Sequence, residues 1–170
     1  MKYFKSIAAV AFVLLLSSGA FAQTLKFGHI NSTALIQAMP ETRQADSTLK
    51  KFAESLDGQL KTMTIEYQTK LQTYQSKADS MPEAIKQTKE KELYDLQTRI
   101  QDFQQTAQES IQKKKEEIYG PILKKAEDAI KALAKEKSYS YIFDTSVGAV
   151  VFAQESDDLM SMVKARLGVK

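Results

Sequence analysis

The chain has 170 residues, with only 6 Gly and 3 Pro. Together these are about 5% of the chain where average usage gives about 12%, so turns are few and the elements between them long. There is no Cys, no Trp and a single histidine, His29, which excludes disulfides, a Cys/His zinc site, a thiol nucleophile and any Ser-His-Asp triad built on another histidine. With 24 basic and 21 acidic residues the formal charge is +3, and the composition leans towards a long helical, non-catalytic protein.

The first segment reads as an address. Lys2 and Lys5 form a basic start, residues 7–16 are apolar, and Ala20-Phe21-Ala22 supplies the small-x-small cleavage pattern of a secretory signal peptide over residues 1–22. A membrane anchor is the competing account, but the apolar run is well short of the roughly 20 residues that a span requires. Removing the signal takes away two lysines and no acid. The mature chain from Gln23 therefore has 22 basic and 21 acidic residues, a net charge of +1. No Cys follows the signal to carry a lipid.

Residues 25–30 (Leu25 to Ile30) read as a short strand, followed by a helix from Ser32 or Thr33 to Met39. Pro40, Pro82 and Pro121 then divide the chain. Residues 41–80 hold one glycine, Gly58, and read as helix throughout; residues 82–119 hold none and read as a second helix that Gly120-Pro121 interrupts. Two arms of 40 and 38 residues are each about 60 Å long as helices. Ser80-Met81-Pro82-Glu83 reads as a helix restart, with Ser80 the cap. Equal arms folded there return both bases to one level, giving a long antiparallel helical hairpin over residues 41–120.

Apolar spacing supports the hairpin. In the outgoing arm Leu49, Phe52, Leu56, Leu60, Met63, Tyr67, Leu71, Tyr74, Ala78 and Met81 recur every three or four residues. Leu49, Leu60 and Leu71 lie 11 apart, about 3.67 residues per turn, which favours straight or slightly right-handed coiling. Leu93, Leu96, Ile100, Phe103, Ala107, Ile111 and Ile118 form the weaker seam of the returning arm. Ile65 and Tyr94 lie off both seams at a similar height, either as scattered surface apolars or as a partner-contact patch. Flexibility is expected at Gly58 and at Gly120-Pro121.

After the arms, residues 122–137 form an amphipathic helix, residues 139–143 a strand, 144–148 a turn and 149–152 a second strand. Ser156-Asp157-Asp158 starts a last helix that runs to Leu167, with Gly168 beyond it. The fold class is thus mainly α with a small β body, formed by residues 23–40 and 121–170. Three short strands do not make a core alone, so the body is expected to complete itself by oligomerising. Phe27, Ile30, Tyr141, Phe143, Val151 and Phe152 are the candidate oligomerisation residues.

Catalytic signatures are missing. The chain contains no G-x-x-x-x-G-K-[ST], no G-x-G-x-x-G and no H-E-x-x-H. His29 has no neighbouring acid or hydroxyl pair and reads as structural. Lys113-Lys114-Lys115 runs directly into Glu116-Glu117, a solvated helix face rather than the clustered basic stripe of a nucleic-acid binder. No catalytic residue, cofactor or metal ligand is assigned.

The pattern resembles the Skp/OmpH family of periplasmic chaperones. The resemblance rests on Phe27-Gly28-His29-Ile30-Asn31-Ser32 with Leu35-Ile36-Gln37-Ala38-Met39-Pro40-Glu41, on Tyr141-Ile142-Phe143-Asp144 with Ala149-Val150-Val151, and on Asp157-Asp158-Leu159-Met160-Ser161-Met162-Val163. It implies a homotrimer whose β-containing body carries three helical arms around a cavity. It implies also an ATP-independent holdase for unfolded outer-membrane proteins in the periplasm, without nucleic acid as partner. The arms depart from the strongly basic family pattern. Residues 41–80 carry 6 basic and 6 acidic side chains and residues 81–120 carry 7 and 8, a net of −1. No lipopolysaccharide-binding residue is therefore assigned, and membrane contact is left open. Client contact is expected instead at Met63, Ile65, Tyr67, Tyr74, Tyr94 and Phe103. The alternative is a coiled-coil scaffold of the cell envelope that uses its arms only for reach.

Overall fold

The computed structural model describes residues 25–169; the expected signal peptide lies outside them. Strand β1 (Phe27–Ile30) leads into helix α1 (Ser32–Ala38), whose first turn is capped by the Asn31 side chain accepting from the Ala34 amide. Helix α2 (Pro40–Lys77) starts with Pro40 in its first turn, where a missing N–H costs nothing. A 3-10 turn at Ala78–Ser80 closes the tip, and α3 (Glu83–Glu136) returns. Strand β2 (Tyr141–Asp144) and helix α4 (Met160–Leu167) complete the chain, the latter ending on Gly168 at φ +68°, a left-handed position suited to glycine.

The outgoing helix and the tip lie within a turn of their predicted places, and three expectations differ from the structure. Gly120-Pro121 does not interrupt the returning helix: α3 runs through it for 54 residues, about 80 Å. Gly120 lacks the Cβ that supplies part of the clash before proline; the missing N–H and the ring's approach to the Glu117 carbonyl remain, and burial of Ile122 and Ala126 in the core holds the helix through that turn. Ser80 does not cap α3, for its hydroxyl donates back to the Lys77 carbonyl. Residues 149–152, expected as a strand, pair with no strand among the described residues.

Every predicted seam residue of both arms is buried or half-buried, most deeply Leu93 and Leu96. Each arm covers the apolar stripe of the other, and the Gln, Thr, Lys and Glu between them stay in water. Arms this narrow have no second layer, so most seam residues remain half-exposed. The fully packed core lies at the base instead. There Ile30, Leu35, Met39, Ala45, Ile122, Ala126, Ala129, Leu133, Leu159 and Val163 form one cluster.

The sheet has two parallel strands, with Phe27 opposite Tyr141 and Ile30 opposite Asp144. The connection between them is the whole hairpin, so residues 114 apart in sequence pair side by side. Gly28 faces inward, where an added Cβ would stand 3.0 Å from the side chains of both Leu159 and Tyr139, so a larger residue would require those side chains to shift. The chain beyond β2 crosses to the other side of β1, where the Leu159 amide donates to the His29 carbonyl at 2.9 Å.

Candidate functional site

Two surfaces offer contact: the outer face of the sheet and the sides of the arms. Alternation along the strands sorts the first. Gly28, Ile30 and Ile142 point to the core, while Phe27, His29, Tyr141 and Phe143 point away from it. The three aromatic rings stand 5.8 to 6.4 Å apart, within the range for favourable pairing. Among the described residues no element packs across all three, and each is about half exposed.

Residues 149–153 border this face and, with Phe27, His29 and Phe143, line a groove of about 500 Å³. Val151 is 98% exposed and Phe152 83% exposed. Such exposure in an apolar run beside an aromatic face makes this a candidate contact surface. Of the residues expected in the oligomerisation body, Phe27, Tyr141, Phe143, Val151 and Phe152 sit together here. Ile30 does not: it is 2% exposed and belongs to the core of its own chain.

His29 fastens the bordering segment. Its Nε2 lies 2.9 Å from the Gln154 carbonyl oxygen, which can only accept, so Nε2 carries the proton. Nδ1 is buried without a partner. The ring links strand and segment.

A second polar joint holds the end of β2. The Asp144 carboxylate accepts from the Ser32 amide at 3.2 Å, the Ser32 hydroxyl, and the Ser146 amide at 2.9 Å. Burial opposes its charge, but these bonds outweigh burial and hold its pKa down at about 2. Asp144 thus joins β2, the start of α1 and the turn into residues 149–153. Sequence patterning gave it no role beyond a turn; an acid at a strand end opposite a helix that begins with Ser32 was the available signal.

On the arms, the six expected client-contact residues divide. Ile65 is 52% exposed and Tyr94 70% exposed. Met63, Tyr67, Tyr74 and Phe103 are half-buried in the seam. The Tyr74 hydroxyl also donates to Glu90 across the tip, and that bond pushes its pKa up to about 12. Near the base, Tyr119 donates to Asp46 and Lys125 pairs with Glu41. The cross-arm roles of Tyr74 and Tyr119 escape periodicity, which sees only their apolar rings. Ile85, near the tip, is a further exposed apolar residue that patterning missed. Among the described residues no cluster of His, Cys, Asp or Glu could hold a metal ion, and no helix is long and apolar enough to cross a membrane.

Residues 26–167 match the family model described as outer membrane protein (OmpH-like), and the chain belongs to that family. It is 23% identical to the chaperone protein Skp of Yersinia enterocolitica over 159 residues, covering 94% of this chain and 96% of the relative. It is 22% identical to the chaperone protein Skp of Pectobacterium atrosepticum over 160 residues, with the same coverage. The crystal structure of an OmpH-like protein from Caulobacter crescentus superposes with a TM-score of 0.74 at 14% identity, covering 88% of each chain. The fold, mainly helical with long helices and a small β sheet, is that of the family.

Proposed function

We propose that this OmpH-like chain is an ATP-independent periplasmic holdase, exported by its N-terminal signal and assembled as a homotrimer. In that assembly the arms surround a cavity that receives unfolded outer-membrane proteins. The observation that carries the reading is the pairing of two unlike surfaces on one molecule. A large apolar face in the body calls for permanent cover, and long near-neutral arms present scattered apolar side chains to solvent.

In the trimer, Phe27, Tyr141 and Phe143 meet their counterparts and residues 149–152 gain the strand partners they lack within one chain. Ile30 supports that face from below. On the arms, Ile65 and Tyr94 lead the client contact, and the exposed edges of Met63, Tyr67, Tyr74 and Phe103 add to it. Binding the unfolded state by mass action needs no nucleotide and no enzyme chemistry.

The test is light scattering as a urea-unfolded β-barrel protein is diluted into buffer with a molar excess of the native oligomer, whose mass is taken by sedimentation. Suppressed aggregation by a species of three chains is the expected outcome. Unchanged aggregation would leave the arms as spacers and favour an envelope scaffold.

A further inference from the structure

The one histidine of the chain stands on the outer aromatic face of the sheet. His29 lies opposite Phe143 on β2 and shares a groove with Phe27 and residues 149–154. Imidazole is the side chain whose charge ordinarily changes between about pH 5 and 8. What the change moves depends on what the ring holds.

His29 holds the bordering segment. Its Nε2 donates to the Gln154 carbonyl at 2.9 Å, and the same oxygen accepts from the Asp157 amide at 3.0 Å, closing the 3-10 turn Glu155–Asp157. The Leu159 amide then bonds the His29 carbonyl at 2.9 Å. Among the described residues, 149–153 make no backbone hydrogen bond of their own. The imidazole is thus the polar tie that keeps this apolar run beside the sheet.

The tie suits only the neutral ring. Nδ1 is shut off from solvent and has no hydrogen-bond partner. As a lone pair it loses one weak acceptor bond there. As a protonated N–H it would be a buried, charged donor with nothing to bond, which is the costlier state. The Nε2 bond itself would survive protonation; the penalty arises on the other side of the ring. The charged groups around it do not remove that penalty. Lys26 is turned to the Tyr139 ring and the Lys137 carbonyl, Asp144 is taken by Ser32 and Ser146, and Asp158 accepts from the Met160 amide. Glu155 and Asp157 lie in the turn itself, and Asp157 lines the same groove without bonding the ring.

We propose that His29 is a pH-sensitive latch, which holds residues 149–157 against the sheet when neutral and, once protonated, leaves Gln154 and turns outward to Asp157. The ring then has two alternative partners, a carbonyl for the neutral form and a carboxylate for the charged one. In the trimer proposed above, on which this consequence rests, the same face is covered by other copies of the chain. Acid therefore loosens the body, because each copy brings a charge to a face that closes best without one.

Hydrogen exchange by mass spectrometry on the native oligomer, corrected for the pH dependence of intrinsic exchange, tests the latch, and sedimentation at the same pH values tests its consequence. Between pH 7.5 and pH 5.5, protection of residues 155–159 should fall about five-fold and the subunit dissociation constant should rise about ten-fold. Asp144, held down at about 2, stays charged throughout that range. His29→Gln keeps a side-chain N–H for the Gln154 carbonyl but takes up no proton, so both quantities should change by less than about two-fold. Equal protection at the two pH values, or a loss that His29→Gln shares, would overturn the latch. Opening of 155–159 with no change in association would overturn its part in assembly. A single chain at both pH values would instead sink the trimer reading, and the exchange comparison would still judge the latch.

Discussion

Asp144→Asn isolates the joint between the sheet and the segment that borders its aromatic face. The substitution keeps the shape and one acceptor oxygen but removes the charge that three donors converge on. Asp144 has a folded-state pKa of about 2 against an ordinary value of 3.8. A depressed carboxylate contributes stability that is fully present above the unfolded value and is lost as pH falls towards the folded one. Discounted for partial exposure to solvent, the contribution at pH 7 is about 1–2 kcal/mol. For a chain of this size that lowers Tm by about 2–8 °C. Roughly half of the difference between wild type and variant should vanish by pH 3, because by then the wild type has lost that share of its advantage. Differential scanning fluorimetry at fixed protein concentration from pH 7 to pH 3 reads both quantities, the concentration being held because subunit association also shifts Tm. A variant as stable as wild type at pH 7, or a gap that stays constant down to pH 3, would refute the role assigned to this carboxylate.

Other predictions address the two contact surfaces. Phe143→Asp or Val151→Asp should dissociate the oligomer in sedimentation, because a carboxylate in a covered apolar interface has no partner, while Gln97→Asp and Gln101→Asp on the exposed arm should leave its mass unchanged. Ile65→Ser with Tyr94→Ser should weaken client affinity at least five-fold, the loss of about 1 kcal/mol of apolar contact, with circular dichroism unchanged because both side chains already face water. Raising salt from 50 to 300 mM should alter client affinity by less than three-fold, as near-neutral arms have little electrostatic attraction to screen; a collapse of affinity over that range would restore charge as the means of capture.

The hairpin was legible because it is held by periodicity, the property that a sequence displays most openly. Its seam from Leu49 to Ile118 follows directly from where apolar residues recur. The proline at 121 misled because its effect depends on its surroundings: glycine before it removes the Cβ part of the clash, and the burial of Ile122 and Ala126, which only the fold supplies, holds the helix against the lost N–H. The segment 149–152 has every local property of a strand, but a strand is defined by a neighbour, and a neighbour is not a local property. Asp144, Tyr74 and Tyr119 were underread for a related reason. Their partners Ser32, Glu90 and Asp46 are brought near only by the fold.

The contrast between body and arms follows from how apolar surface behaves when it is left uncovered. A contiguous face such as Phe27, Tyr141 and Phe143 gains enough on burial to hold copies of the chain together, and left open it would aggregate. The same surface spread along an arm would join arms to one another and close any cavity between them. Ile65, Ile85 and Tyr94 avoid that outcome by standing apart among charged and amide side chains. In the proposed holdase each would offer a contact too weak to bind alone, so only a partner long enough to reach several at once would be retained. There an unfolded chain would meet that condition and a small folded protein would not, which would give selectivity for the unfolded state without a pocket shaped for any one sequence.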